Sequence, residues 1–137
     1  MNRRDFQELA QLRLVEAKAL LDAGHYDGAY YLAGYAVQCA LKACIARMTQ
    51  AEEFPDRKRA VDSYTHNLEA LVVVADLVDS LANERAADSI FTGFWYQVRD
   101  WSENSRYDRW NRESATELYR AIVDVEHGVL RWLRRHW

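Results

Sequence analysis

Apolar residues recur at three- and four-residue steps along most of the chain, which is the period of an amphipathic α-helix. In the first such segment, charged residues separate the apolar positions. Gly24 follows the segment and favours a stop, because glycine readily takes the left-handed conformation found just past helix ends. The pattern predicts a first helix from Asp5 to Ala23. Its apolar face comprises Phe6, Leu9, Leu12, Leu14, Ala17, Leu20 and Leu21.

The second predicted helix, from Tyr26 to about Thr49, is rich in small side chains. A ribbon of alanines runs along it: Ala29, Ala33, Ala36, Ala40 and Ala43. Gly34 lies beside the ribbon, and glycine inside a helix costs about 1 kcal/mol relative to alanine. We therefore expect another element to pack tightly against Gly34. Such close packing can occur within one subunit or across the two-fold axis of a dimer.

The pattern changes after this helix. Residues 50–64 are polar and predict a loop with room for one short helical turn. Helices are predicted from Asn67 to Leu81 and from Glu84 to Trp101, and a second polar loop covers residues 102–113. A last helix begins at Ser114, where Ser-Ala-Thr-Glu fits a capping box, and it continues nearly to the end of the chain.

No segment alternates in the way that a β-strand requires, and no hairpin signal is present. The chain has 137 residues, half of them apolar and only one a proline, which suits a single folded domain. We therefore predict an all-α, up-and-down antiparallel bundle of about five helices that spans residues 1–137.

Charge and cysteine content exclude several classes of protein. The net charge of −3 gives no overall attraction to nucleic acid, although a local basic patch remains compatible with it. The longest uncharged stretch, 28–41, is too short and polar to span a bilayer, and no secretory signal is visible. We expect a cytoplasmic protein that does not enter membranes. Cys39 and Cys44 are about 140° apart on a helix, which favours two buried thiols.

Three segments together resemble the HEPN family of helical domains. Residues 24–43 combine a glycine-x-tyrosine-aspartate start with an alanine-rich stretch, a glutamine and Ala-Leu-Lys-Ala. Residues 65–71, Thr-His-Asn-Leu-Glu-Ala-Leu, are similar to a short histidine-x-leucine helix start in that family. Residues 101–108 contain Ser-Arg-Tyr-Asp, similar to the arginine–tyrosine turn before the last helix. The order and spacing of the three segments match over most of the chain.

The resemblance implies an antiparallel helical bundle that is often a homodimer. Many members pair with minimal nucleotidyltransferases in toxin–antitoxin systems. Some members are metal-independent RNases, and others bind nucleotides or RNA without catalysis. The catalytic members carry an arginine, four to six further residues and then a histidine.

The catalytic motif has a candidate match in the last predicted helix. No histidine follows Arg106, Arg109 or Arg112 within seven residues, whereas Arg120 and His127 have six residues between them. On a continuous helix these two side chains share a face about 10 Å apart. Arg120 and His127 are therefore the candidate catalytic pair. The alternative is a surface arginine and a histidine that flanks a helix.

The second polar loop is the best candidate for a nucleotide or RNA surface. Arginine binds phosphate through two hydrogen bonds and stacks on bases, and aromatic rings provide further stacking platforms. The candidate contacts are Arg99, Arg106, Arg109, Arg112, Tyr107 and His66. Asp100, Glu103, Asp108 and Glu113 neutralise much of the charge. In the alternative interpretation the loop is solvated and its aromatic residues, which include Tyr96, Trp101 and Trp110, pack on the bundle or on a dimer partner.

Taken together, these features favour a nucleotide- or RNA-binding or partner-docking module without catalysis of its own. The partners expected from the resemblance are a second copy of the chain, a nucleotidyltransferase-like protein, and nucleotide or RNA. The alternative is a metal-independent RNase of the toxin–antitoxin type that uses Arg120 and His127. No phosphate-binding glycine loop, nucleophile elbow, dinucleotide fingerprint or metal-ligand spacing is present, so we predict no cofactor and no metal.

Overall fold

The computed structural model describes residues 1–49, 53–54 and 56–137, and all regular structure in these ranges is helical. The α-helices are α1 (Arg3–Asp22), α2 (Tyr26–Arg47), α3 (Arg57–Asp62), α4 (Leu68–Val74), α5 (Val78–Ala87), α6 (Ser89–Arg99), α7 (Arg112–Val123) and α8 (Val129–Arg134), with a 3-10 helix at Glu103–Tyr107 between α6 and α7. The all-α prediction is confirmed. The described residues hold eight α-helices rather than about five, because predicted helices break at specific residues.

Helix α1 begins and ends at recognisable capping residues. The Asn2 side chain accepts a hydrogen bond from the Asp5 amide at 2.9 Å, and the Asp5 carboxylate accepts one from the Asn2 amide at 2.8 Å. Gly24 has a φ of 82°, the left-handed conformation, and the next amide, of His25, donates back to the Leu20 carbonyl at 2.8 Å. The predicted stop at Gly24 is confirmed, and it turns the chain directly into α2.

Helix α2 is the centre of the bundle. It packs against α1 along most of its length and also contacts α4, α7, α8 and the 3-10 helix. Its alanine ribbon is buried throughout, since small side chains let these neighbours approach from several sides. Cys39 and Cys44 are buried as predicted. Burial raises their thiol pKa values to about 11 and about 12, so both remain protonated at neutral pH.

Gly34 explains how the loop after α6 joins this centre. The indole ring of Trp101 lies directly on Gly34, and a methyl group at that position would overlap ring atoms Cδ1, Cδ2 and Cε2. Trp101 is 2% exposed, so the contact is part of the core. The expected close packing against Gly34 is therefore confirmed. It is made by a side chain of the same subunit and not by another helix.

The segment predicted as helices at Asn67–Leu81 and Glu84–Trp101 is divided differently. Asn67 caps α4 by accepting from the Ala70 amide, and α4 ends at Val74 because Asp76 has a φ of 57°. Helix α5 then occupies the region where the prediction placed a gap. Asp88 separates α5 from α6: its Oδ1 accepts from the amides of Ile90 and Phe91, both at 3.0 Å. The capping carboxylate starts a new helix that periodicity alone did not separate.

The last predicted helix is also wrong in two respects. Helix α7 begins at Arg112, before the predicted start at Ser114. Its N-cap is Asn111, whose side chain accepts a hydrogen bond from the Ser114 amide at 2.8 Å. Ser114 therefore lies inside the helix and does not cap it. The helix ends at Val123, and α8 starts only at Val129. Gly128 sits tightly against the backbone oxygens of Ile122 and Asp124, so the turn leaves no space for a Cβ there.

Two smaller predictions also have outcomes. The short turn expected within residues 50–64 is α3, and Gln50, Ala51, Glu52 and Pro55 of that segment lie outside the described residues. In the part of the chain that the structure describes, no helix is both long and apolar enough to cross a membrane.

Replacing Gly34 with alanine tests the packing of Trp101. We expect Gly34→Ala to lower the free energy of unfolding by about 1–3 kcal/mol, because the new methyl group overlaps a buried ring. Gly93→Ala in α6 is the matched control, since nothing lies within 4 Å of its Cβ position. It should instead gain about 0.5–1 kcal/mol from helix propensity. Urea denaturation measures both, and equal stabilities for the two variants would contradict the packing argument.

Candidate nucleic-acid interface

The loop between the 3-10 helix and α7 is tied to the start of α2 by one carboxylate. Asp27 Oδ1 accepts from the Trp110 backbone amide at 2.5 Å, and Asp27 Oδ2 lies 3.3 Å from Arg109 Nη1. A second tie lies nearby, where Arg112 Nε donates to the Tyr26 hydroxyl at 2.9 Å. In the sequence, Asp27 is recognisable only as the aspartate at the start of the second predicted helix. The structure shows that the same carboxylate also positions the candidate loop.

The aromatic residues of the loop divide into two groups. Trp110 stacks on Tyr30 with ring centroids 3.6 Å apart and its Nε1 donates to the Ser105 carbonyl at 3.1 Å, while Trp101 is buried on Gly34. These two indoles hold the loop on the bundle, as the alternative interpretation predicted. Tyr107 points outward and is 75% exposed. Only part of the aromatic set is therefore open to a ligand.

Arg106 and Tyr107 form an outward-facing pair. The Arg106 guanidinium carbon lies 4.8 Å from the Tyr107 ring centroid. Hydrogen bonds from Arg106 to Tyr107 and to Tyr31 raise the pKa of this guanidinium further, so it stays charged. Arg109 is beside this pair in sequence, and its side chain is 95% exposed even with its contact to Asp27. We call Arg106 and Tyr107 the Arg106–Tyr107 pair.

His66 lies where α2, α4 and the 3-10 helix meet. Its Nδ1 is 3.1 Å from Gln38 Oε1, and its Nε2 is 3.3 Å from Glu103 Oε2. Gln38 is one of two buried polar residues among those described, and His66 satisfies its amide. His66 is half-exposed and held by a carboxylate. Both residues lie in the segments that resemble the HEPN family, but the sequence did not show that their side chains form a hydrogen bond with each other.

Arg99 is separate from the loop arginines. Its Nε lies 3.5 Å from Glu69 on α4 and 3.5 Å from Asp100, and its guanidinium carbon is 4.6 Å from the Tyr96 ring centroid. The candidate residues therefore form three groups. In the first group, Arg106, Arg109 and Arg112 contact the first part of α2, and Tyr107 lies against Arg106. In the second, His66 bridges α2 and the 3-10 helix. In the third, Arg99 lies against α4.

The pair Arg120 and His127 does not have the geometry expected of it. Because α7 ends at Val123, the two residues are not on one helical face, and His127 lies in the turn before α8. The Asp124 side chain accepts from the His127 backbone amide at 2.8 Å, which shapes this turn. The expectation of a shared helical face is wrong. The proposed catalytic use of the pair stays a prediction.

His127 is surrounded by acidic groups. Its Nδ1 is 2.7 Å from Asp88 Oδ2, and its Nε2 is 3.6 Å from Glu126. The hydrogen bond to Asp88, with Coulombic support from Asp124 and Glu126, raises the pKa of His127. The same bond lowers the pKa of Asp88. Asp88 thus caps α6 with one oxygen and holds the α7–α8 turn with the other.

The comparisons with known proteins agree with this architecture. The family model described as the HEPN domain matches residues 4–136, nearly the whole chain. A search of curated proteins and a search of solved structures found no match. The chain therefore belongs to the HEPN domain family.

The hydrogen bond between His127 and Asp88 should be detectable as a raised pKa of His127 in a pH titration. A raised pKa in the folded state means that His127 contributes stability that is complete below its unfolded pKa of about 6.5 and is lost as pH rises through the folded value. The lowered pKa of Asp88 has the opposite effect on the pH dependence of stability. The stability that Asp88 contributes is present above the unfolded carboxyl pKa and is lost as pH falls through the folded value. We expect NMR to place the His127 pKa above its ordinary value.

Asp88→Asn should return the His127 pKa toward that ordinary value, and asparagine keeps the cap of α6 because it caps helices as well as aspartate does. Glu126→Gln is the control. It removes a more distant and more exposed carboxylate, so its effect should be smaller. An unchanged His127 pKa in Asp88→Asn would show that this ion pair does not exist in solution.

Proposed function

We propose that this HEPN domain is a binding module that takes nucleotides or RNA at Arg106, Tyr107 and Arg109 and does not cleave RNA. The observation that carries the proposal is the Arg106–Tyr107 pair, which faces solvent and is followed two residues later by Arg109, whose side chain is 95% exposed. A guanidinium binds phosphate through two parallel hydrogen bonds, and an exposed aromatic ring stacks on a base. The pair thus offers both kinds of contact that a nucleotide needs.

The anchoring of the loop supports this proposal. Asp27 and the stacked Trp110 hold the backbone from which Arg106 and Arg109 project. A site fixed in this way loses less conformational entropy when a ligand binds than a mobile loop would. Arg112 donates to Tyr26 and His66 is held by Glu103, so we expect both to contribute less to binding than Arg106 and Arg109.

The alternative, a metal-independent RNase that uses Arg120 and His127, is the weaker candidate. Asp88, Asp124 and Glu126 all raise the pKa of His127, and the same negative charges oppose the approach of an RNA backbone. A homodimer, a nucleotidyltransferase-like partner and a cytoplasmic location stay predictions. Size-exclusion chromatography with light scattering measures the first of these.

The test combines binding and cleavage on one preparation. Fluorescence anisotropy with a labelled single-stranded RNA should show binding, and Arg106→Ala with Arg109→Ala should weaken it about tenfold or more. Arg4→Ala is the control. Arg4 is an exposed arginine on α1, outside the loop, so its removal should leave the affinity unchanged.

Cleavage is measured in the presence of a chelator. We expect intact RNA with the wild-type chain. RNA cleavage that disappears in both Arg120→Ala and His127→Ala would overturn the binding-only proposal and establish the RNase alternative. Equal affinities of the Arg106→Ala/Arg109→Ala double variant and Arg4→Ala would remove the proposed site.

A further inference from the structure

A groove lies between the start of α1, the end of α2 and the short helix α3. Its volume is about 420 Å³, and small-molecule sites occupy about 300–1,000 Å³. Phe6 supplies apolar surface from α1, Ile45 and Ala46 supply it from α2, and Ala60 supplies it from α3. We call this surface the α1–α2–α3 groove. Its size and its apolar walls suit a small organic molecule.

The groove is separate from the loop that carries Arg106 and Arg109. That loop is held on α2 at Asp27 and Tyr30, whereas the groove lies against the other end of the same helix, at Ile45. The rise from Tyr30 to Ile45 along a straight α-helix is about 22 Å. None of the described residues that line the groove belongs to the proposed nucleotide site.

Two cationic side chains line the groove without a carboxylate partner. Lys42 on α2 and Arg59 on α3 are both partly buried, and in the described part of the chain neither forms an ion pair. Lys58, next to Arg59, differs from both: it pairs with Asp62 at 2.6 Å and does not line the groove. Long cationic side chains can bury their aliphatic stems while the charged heads stay at the surface. Lys42 and Arg59 therefore give the groove positive charge as well as apolar area.

Asp56 is the carboxylate among the described residues of the groove. Its Oδ1 accepts from the amides of Lys58 at 3.0 Å and Arg59 at 3.3 Å, so capping α3 holds this side chain in place. Two cations and one carboxylate leave the described lining with one net positive charge. One carboxylate on a ligand neutralises that charge, whereas a phosphate monoester, at about −2, exceeds it.

We infer that the α1–α2–α3 groove binds a small amphipathic carboxylate, with its carboxylate at Lys42 and Arg59 and its apolar chain against Phe6, Ile45 and Ala46. A guanidinium takes a carboxylate through two parallel hydrogen bonds, and an ammonium adds a compact charge beside it. The apolar walls stabilise the complex by removing the alkyl chain from water. An uncharged apolar molecule leaves both cations unpaired, and an inorganic anion leaves the apolar walls wet. The ligand therefore needs both parts.

Octanoate is the probe, and proton–nitrogen correlation NMR measures both its affinity and its position. We expect saturable shifts at the amides of Ile45, Ala46 and Ala60 and no shift at Asp27, at the far end of α2. From butanoate through hexanoate to octanoate, affinity should rise about two- to fourfold for each methylene that leaves water. Octanol has the same chain without the carboxylate and should bind about tenfold more weakly than octanoate.

Four variants separate the charge from the apolar walls. Lys42→Met and Arg59→Met keep an apolar stem and remove the charge, so each should weaken octanoate about tenfold and leave octanol unchanged. Lys58→Met, on the same short helix but outside the groove, is the matched control and should leave both affinities unchanged. Ala60→Phe places a ring in the groove from an exposed position and should abolish binding of both probes, while circular dichroism shows that the chain remains folded.

The outcomes are independent of the proposed nucleotide site. The Arg106→Ala/Arg109→Ala double variant should bind octanoate as the wild-type chain does, because both residues lie outside the groove. Equal affinities for octanoate and octanol would overturn the assignment of a carboxylate ligand, and so would octanoate binding that is the same in Lys42→Met, Arg59→Met and Lys58→Met. Octanoate that produces no saturable shifts at the groove would overturn the inference and leave the proposed function intact.

Discussion

The contact between Trp101 and Gly34 is the constraint on which the arrangement of this domain depends. An indole that lies on a helix backbone needs a position without a side chain, and α2 provides one at the middle of the bundle. Trp101 follows α6 and precedes the 3-10 helix, so fixing its ring fixes where the chain leaves one helix and begins the loop. The stacking of Trp110 on Tyr30 then fixes the other end of that loop. The candidate surface is held between these two indoles.

The sequence predicted the features that depend on local preferences. The extent of α1 and α2, the stop at Gly24, the burial of both cysteines and the close approach at Gly34 were all readable, because each follows from residue type and spacing. The features it missed depend on competition between similar signals. Asn111 and Ser114 are both good capping residues, and the choice of Asn111 is made by the surrounding fold. Asp88 and Asp124 lie within sequence segments whose apolar periodicity continues past them. The helices nevertheless end there, because the carboxylate of each accepts hydrogen bonds from nearby backbone amides and that of Asp88 also binds His127.

For the candidate site, the sequence predicted the residues better than their partners. The sequence pointed to the arginines and Tyr107 of the loop from their residue types alone. It also showed the nearby carboxylates that neutralise part of the arginines' charge. What could not be read was that Asp27 holds Trp110 and Arg109 from a position more than eighty residues away in sequence. Nor could periodicity show that His127 meets Asp88. Long-range pairs of this kind depend on how helices are placed, and a single sequence gives no measure of that placement.

The burial of α2 on nearly every side has a consequence for how the domain forms. Most helices present one apolar stripe to a core and can begin to form alone, but the interior of α2 has neighbours all around it and few polar side chains to meet water. Its backbone is sheltered only when α1, the segment between α6 and α7, and the last two helices, α7 and α8, are all in place. Folding should therefore be all-or-none, and a cut in any loop should leave two fragments that regain helix only when mixed.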